Sequence, residues 1–194
     1  MNQSAFGHPT YLLRRKVFKL FGGAFHIYAP DGSLAFYSQQ KAFKLKEDIR
    51  VFADESMSRE LLVIRARNII DLGATYDVLD AASGAPVGSL RRRALKSILK
   101  DEWLLLDPQG REIGVIKEDN AALAILRRTI LGWMCPQTYD GSIGGRPVCH
   151  FHRNFNPFVS KVTLDFRVDA TGLLDRRLGI AAAILLLAIE DKQN

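Results

Sequence analysis

Residues 178–189 read LGIAAAILLLAI, from Leu178 to Ile189, twelve apolar positions without a polar interruption. In a helix, with about 100° of rotation per residue, such a run has no polar face, so lipid or protein must enclose it on every side. Length separates the two environments. Twelve residues span ~18 Å at 1.5 Å per residue, against ~30 Å for a hydrocarbon core, which is too short to cross unaided. Gly179, Ala181, Ala182, Ala183 and Ala188 keep the rod slim, as threading a closed β structure requires. In a membrane, Gly179 and Ala183 would instead form a small-xxx-small contact. Arg176 and Arg177 precede the run while Glu190 and Asp191 follow it, both pairs opposed to the helix dipole. The helix therefore owes its place to tertiary burial, not to its own termini.

The rest of the chain supplies the enclosure. Val162, Leu164, Phe166 and Val168 fall on one face, and Lys161, Thr163, Asp165, Arg167 and Asp169 on the other, the pattern of a strand with one dry and one wet side. Similar alternation runs through Phe25-Ile27, Leu62-Ile64-Ala66, Tyr76-Val78 and Ile113-Val115. Between these runs lie turn signals opened by aspartate and mostly closed by glycine: Asp31-Gly32, Asp54, Asp80 to Gly84, Asp107 to Gly110, Asp140-Gly141 and Asp169 to Gly172. Aspartate bonds its own backbone in a tight turn, and glycine supplies positive φ. Six such tips, 23, 26, 27, 33 and 29 residues apart, predict a dozen strands in a meander. Asn120 to Leu131 reads as a short helix or a strand flank.

A chain of 194 residues, 47% hydrophobic and 25% charged, suits one well-buried domain. The expected layout is a flexible arm over 1–10 and a single domain over 11–191, with its helix near 175–190. No continuous apolar stretch follows Met1, so no secretory signal is read and a cytoplasmic protein is expected. Cys135 and Cys149 read as reduced thiols in that compartment. The formal charge of +6 is uneven: residues 1–100 carry 16 basic and 9 acidic side chains, residues 101–194 carry 11 and 12.

A meander followed by one wholly apolar helix resembles the tubby C-terminal-like fold, a closed antiparallel β barrel of about 12 strands around a central hydrophobic C-terminal α-helix. The wording is most similar to the LURP-one-related and phospholipid-scramblase-like branch. The matching segments are RRKVFKLFGGAFHIYAPDGSLAFYSQQKAFKLKEDIRVFADE from Arg14, ELLVIRARNIIDLGATYDVLDAASGAPVGSLRRR from Glu60, DEWLLLDPQGREIGVIKED from Asp101, and LLDRRLGIAAAILLLAIE from Leu173. Scramblases carry an Asp-rich segment before the final helix, whereas RVDATGLLDRRLG offers Asp169 and Asp175 alone. Calcium needs six to eight oxygens, so calcium gating is not expected. The resemblance implies a fold and a tendency toward phosphoinositides or membrane surfaces; it implies no catalytic residue.

Three basic groups are candidates for an anionic ligand: Arg91, Arg92, Arg93, Lys96 and Lys100; Arg14, Arg15 and Lys16 with Lys19; and Lys44 and Lys46 with Lys41. Guanidinium groups bind phosphate bidentately, and clustered cations draw anionic headgroups. On a strand Arg91 and Arg93 share a face and Arg92 opposes them, so a single patch needs a bulge or a rim; a solvated exterior is the plainer reading. His150 and His152 share a strand face but lack a third ligand of recognisable spacing, and no metal or other cofactor is expected. Neither a nucleophile elbow, a P-loop, a dinucleotide fingerprint nor H-E-x-x-H occurs, so the protein is not expected to be an enzyme. No RNA-binding sheet motif or recognition helix points to nucleic acid. The reading is a binding or adaptor module for anionic phospholipid at a cytosolic membrane face. A protein-interaction scaffold without a lipid ligand and a scramblase-like protein inserting its terminal helix are the alternatives.

Overall fold

The computed structural model describes residues 5–18, 22–40, 48–67, 73–93, 102–118, 137–154 and 160–190. Their alternating segments form β1 (Thr10–Phe18), β2 (Gly22–Tyr28), β3 (Leu34–Gln40), β4 (Ile49–Phe52), β5 (Glu60–Ala66), β6 (Thr75–Asp80), β7 (Pro86–Arg93), β8 (Glu102–Leu106), β9 (Glu112–Glu118), β10 (Gln137–Ile143), β11 (Arg146–Asn154) and β12 (Ser160–Asp165). Every strand pairs antiparallel with its sequence neighbours, and β12 returns to β1, with Thr10 opposite Asp165 and Arg14 opposite Lys161. The sheet is thus a closed twelve-stranded barrel without a free edge. An eight-stranded barrel fills with its own side chains; twelve strands leave a wider lumen. A helix, α1 (Arg176–Glu190), occupies it. Asn120 to Leu131, read as a helix or strand flank, lies outside the described residues.

Leu178 and Ile180 to Ala188 are each at most 3% exposed and Gly179 is buried, so burial is complete around the helix, as its uniformly apolar sequence requires. Slimness matters at Gly179, where a Cβ would stand 2.5 Å from the Phe166 ring. Gly179→Val is expected to lower the folding free energy by about 1–3 kcal/mol through overpacking, read as a lower denaturant midpoint at unchanged m-value. No helix among the described residues is long and apolar enough to cross a membrane.

The helix termini receive partners that its own sequence lacks. Asp175 caps the start, its carboxylate accepting the Arg177 N–H at 2.9 Å and its carbonyl the Leu178 N–H at 3.0 Å. Buried Asp169 orders the approach by accepting the N–H groups of Leu173 (2.9 Å) and Leu174 (3.0 Å). Arg176 stacks its guanidinium 4.3 Å from the Phe166 ring centroid. At the far end Arg15, reaching in from β1, donates from Nη1 to the Leu187 carbonyl at 3.2 Å. A cation at a helix carboxyl end interacts favourably with the dipole.

Four of the six expected hairpin tips stand as read; the Asp169 turn is there too, but it joins β12 to α1 instead of pairing two strands. Asp31, Asp54 and Asp80 accept from the hydroxyl and N–H of Ser33, Ser56 and Ser83, contacts that hold each carboxyl below the usual carboxylate range. Asp107 instead accepts the N–H groups of Gln109 and Arg111. The sixth, Asp140-Gly141, is corrected: both residues lie within β10, and the turn falls at Gly144 (φ 56°) and Gly145 (φ 78°). Gly141 serves packing instead, because a Cβ there would meet the Cys149 Sγ at 2.4 Å. The last strand also ends earlier than its alternation suggests. Phe166 donates its N–H to the Pro9 carbonyl at 2.8 Å, and Val168 is exposed. Residues 5–9, assigned from the sequence to a flexible arm, lie against the barrel: Phe6 packs on Phe36 (4.6 Å between centroids), and the Tyr11 hydroxyl donates to the Ala5 carbonyl at 2.7 Å.

Candidate anion-binding surface

In an up-and-down meander the connections alternate between the barrel's two ends. The β2–β3, β4–β5, β6–β7, β8–β9 and β10–β11 turns and the β12–α1 segment occupy the proximal end, where α1 begins. The other six strand pairs are joined at the distal end, where Arg15 meets the Leu187 carbonyl. The sequence divides its charge unequally between these two sets. Proximal connections hold three basic and six acidic side chains; distal connections hold nine basic and five acidic.

The described members of the three basic groups stand on different walls of the barrel. Arg14, Arg15 and Lys16 stand on β1, whereas Arg91, Arg92 and Arg93 finish β7, which lies six strands away in the closed ring. Lys44, Lys46, Lys96 and Lys100 lie outside the described residues; the chain carries them between the distal ends of β3 and β4 and of β7 and β8. The side chain of Lys16 is likewise outside them.

Alternation sorts the described members. Arg91 and Arg93 face outward, Arg91 donating from Nε to the Thr75 hydroxyl (3.2 Å) and Arg93 from Nη1 to Glu102 (3.0 Å). Arg92, in phase with buried Leu90, is turned inward and half-buried. Arg15 is also inward, 7% exposed, with its guanidinium 5.6 Å from the Phe25 ring centroid and bonded to α1. That geometry makes it a support for the helix end, not part of an outer ligand surface. Arg14 faces outward, half-buried, with its guanidinium 5.9 Å from the Tyr28 ring centroid.

Two further polar residues, Arg153 and Glu118, stand near the distal rim. Arg153 donates to Gln137 at 3.1 Å, and Glu118 is buried in phase with Ile116. The available signal was phase: a charged residue in step with the dry side at a strand's last turn marks an inward rim position. His26 faces outward as its alternation predicts, yet it is 5% exposed. Its Nε2 bonds Glu55 at 2.8 Å, and Tyr37 meets it edge-on at 5.2 Å between centroids. Tyr28, Tyr37 and the β4–β5 turn, which carries Glu55 onto this face, together account for that burial.

The remaining chemistry-bearing groups are occupied or isolated. His150 pairs with Asp140, and no group of three potential metal ligands occurs among the described residues. Burial pushes the Cys149 thiol up to about 12, which leaves it protonated and poorly nucleophilic near neutrality. Cys135 lies outside the described residues.

Comparison with known proteins adds one assignment. No curated protein matches the chain, and no solved structure does. A family model described as LURP-one-related matches residues 34–187, running from the start of β3 to near the end of α1. With the greater part of the barrel and its helix inside that match, the chain belongs to the LURP-one-related family.

Proposed function

We propose that the protein is a non-enzymatic binding module whose distal end meets anionic phospholipid headgroups at a membrane surface. The opposed charge of the two sets of connections carries this reading: nine basic against five acidic side chains distally, three against six proximally. A net charge spread evenly would keep the barrel soluble without orienting it. A net charge divided between the ends gives the molecule a direction, positive end toward an anionic surface. Each basic side chain near such a surface contributes ~1 kcal/mol, diminishing beyond a Debye length of ~8–10 Å. The enclosure of α1 within the barrel favours surface attachment over insertion, since inserting the helix would empty the core.

Flotation with phosphatidylcholine vesicles, with and without phosphatidylserine, tests the reading. The protein is expected to float with the anionic vesicles at low salt and to be released at high salt; equal recovery with both vesicle types would overturn the proposal. Direction is tested by two variants of equal net charge. Lys96→Ala with Lys100→Ala removes distal charge, and Arg59→Ala with Arg146→Ala removes it from proximal hairpins. From ~1 kcal/mol per residue, the distal pair should weaken partitioning roughly tenfold or more, while the proximal pair leaves it nearly unchanged.

A further inference from the structure

Most outward-facing cations within the described strands are matched to carboxylates. Arg50 holds Glu60 (2.8 Å), Arg65 holds Asp48 (3.1 Å), and Arg93 and Lys117 share Glu102. Arg91 rests on a threonine hydroxyl. Two others break this rule together. Arg14 on β1 and Lys161 on β12 are direct register partners across the seam that closes the barrel, both half-buried. Among the described residues, neither has an ion-pair or hydrogen-bond partner for its cationic group.

Among the described residues their surroundings supply no compensation. Across the sheet Arg14 also faces His26, and Lys161 also faces Asn154; along the same outer row lie Leu12 and Thr163. None is acidic. Glu55, which reaches this side of the barrel from the β4–β5 turn, is taken by His26. Like charges directly opposite on a sheet destabilise it, and partial burial strengthens the repulsion. Stacking beside Tyr28 meanwhile holds the Arg14 guanidinium while leaving its in-plane N–H donors unused.

We infer that Arg14 and Lys161, side by side on the outer face of the β1–β12 seam, form a seat for a phosphate monoester dianion, carried by a lipid headgroup or by a soluble phosphorylated compound. The charge match selects the monoester. A phosphate monoester carries about −1.5 to −2 at neutral pH and can satisfy both cations, whereas a carboxylate or a phosphodiester leaves one unmatched. Arg14 offers a fork for two phosphate oxygens and Lys161 a mobile point charge for the third. This goes beyond the membrane reading, because the seat is defined by two residues on the barrel's flank and can operate without a bilayer.

The full chain is titrated with methyl phosphate and with dimethyl phosphate, following chemical shifts of β1 and β12. The monoester is expected to bind at least tenfold more tightly, with shifts centred on Arg14 and Lys161. Lys161→Glu places a carboxylate opposite Arg14; it should abolish the preference while the thermal midpoint holds or rises, a combination that loss of packing does not produce. Arg14→Met is the second variant and should lose the preference as well. Equal binding of the two esters, or an unchanged preference in either folded variant, overturns the seat. Vesicles identify the source. Stronger recovery on phosphatidic acid than on phosphatidylglycerol, competed by methyl phosphate, assigns a headgroup; monoester binding without that vesicle preference assigns a soluble compound. Equal recovery on both lipids without monoester binding would overturn the seat and leave the distal-end reading standing.

Discussion

A chain ending at Arg177 is expected not to fold. Removing residues 178–194 deletes Leu178, Ile180, Ile184, Leu185, Leu186 and Leu187, all at most 3% exposed and all packed inside the barrel. Burying a large aliphatic side chain contributes about 1.5–3 kcal/mol, so these six represent about 9–18 kcal/mol. A domain of ordinary stability has about 5–15 kcal/mol in total. The lumen left behind is too wide for side chains of the wall to meet across it. Circular dichroism and proton NMR of the truncated chain should show lost tertiary dispersion and a tendency to aggregate. A soluble remainder with native-like dispersion would show instead that the helix is an appendage.

The second large effect is expected at Arg15→Glu. The substitution replaces a guanidinium bonded to the Leu187 carbonyl with a carboxylate in the same buried place, against the negative end of the helix. Leaving a charge buried without its partner costs about 3–5 kcal/mol, which should appear as a large fall in the denaturant midpoint. Arg15→Met keeps most of the stem's volume and should cost less. The neighbouring Arg14→Glu, outward and opposite Lys161, should be neutral or stabilising. Two adjacent arginines thus separate the helix support from the outer anion seat. If Arg15→Glu and Arg14→Glu fall equally in stability, the inward placement of Arg15 is wrong.

That pair also shows what sequence reading reaches. The meander, its hairpins and the enclosed helix were legible, because period-two alternation, aspartate turns and an apolar run are local signals. The Asp140-Gly141 tip was misplaced since a glycine that avoids the Cys149 sulfur looks the same in sequence as one that turns the chain. Arg14, Arg15 and Lys16 read as one basic cluster in the sequence, although Arg15 keeps step with Tyr11 and Leu13 and so belongs inside. Phase alone could have divided them. The pairing of Arg14 with Lys161 could not have been found that way, because it depends on closure between the first and last strands. His26 likewise gave no local sign of burial; a turn 29 residues away helps to cover it.

Barrel closure has a consequence for the order of events during synthesis. β1 cannot find β12 until residue 165 has been made, nor the wall its filling until residue 188. Eleven hairpin contacts between neighbouring strands can form earlier, but each leaves an apolar inner face open to water or to another nascent chain. The long separation of the closing contacts also places this domain among slow folders. The last helix therefore acts as the signal that the chain may commit to its native state, and the interval before it emerges is when a chaperone would be needed.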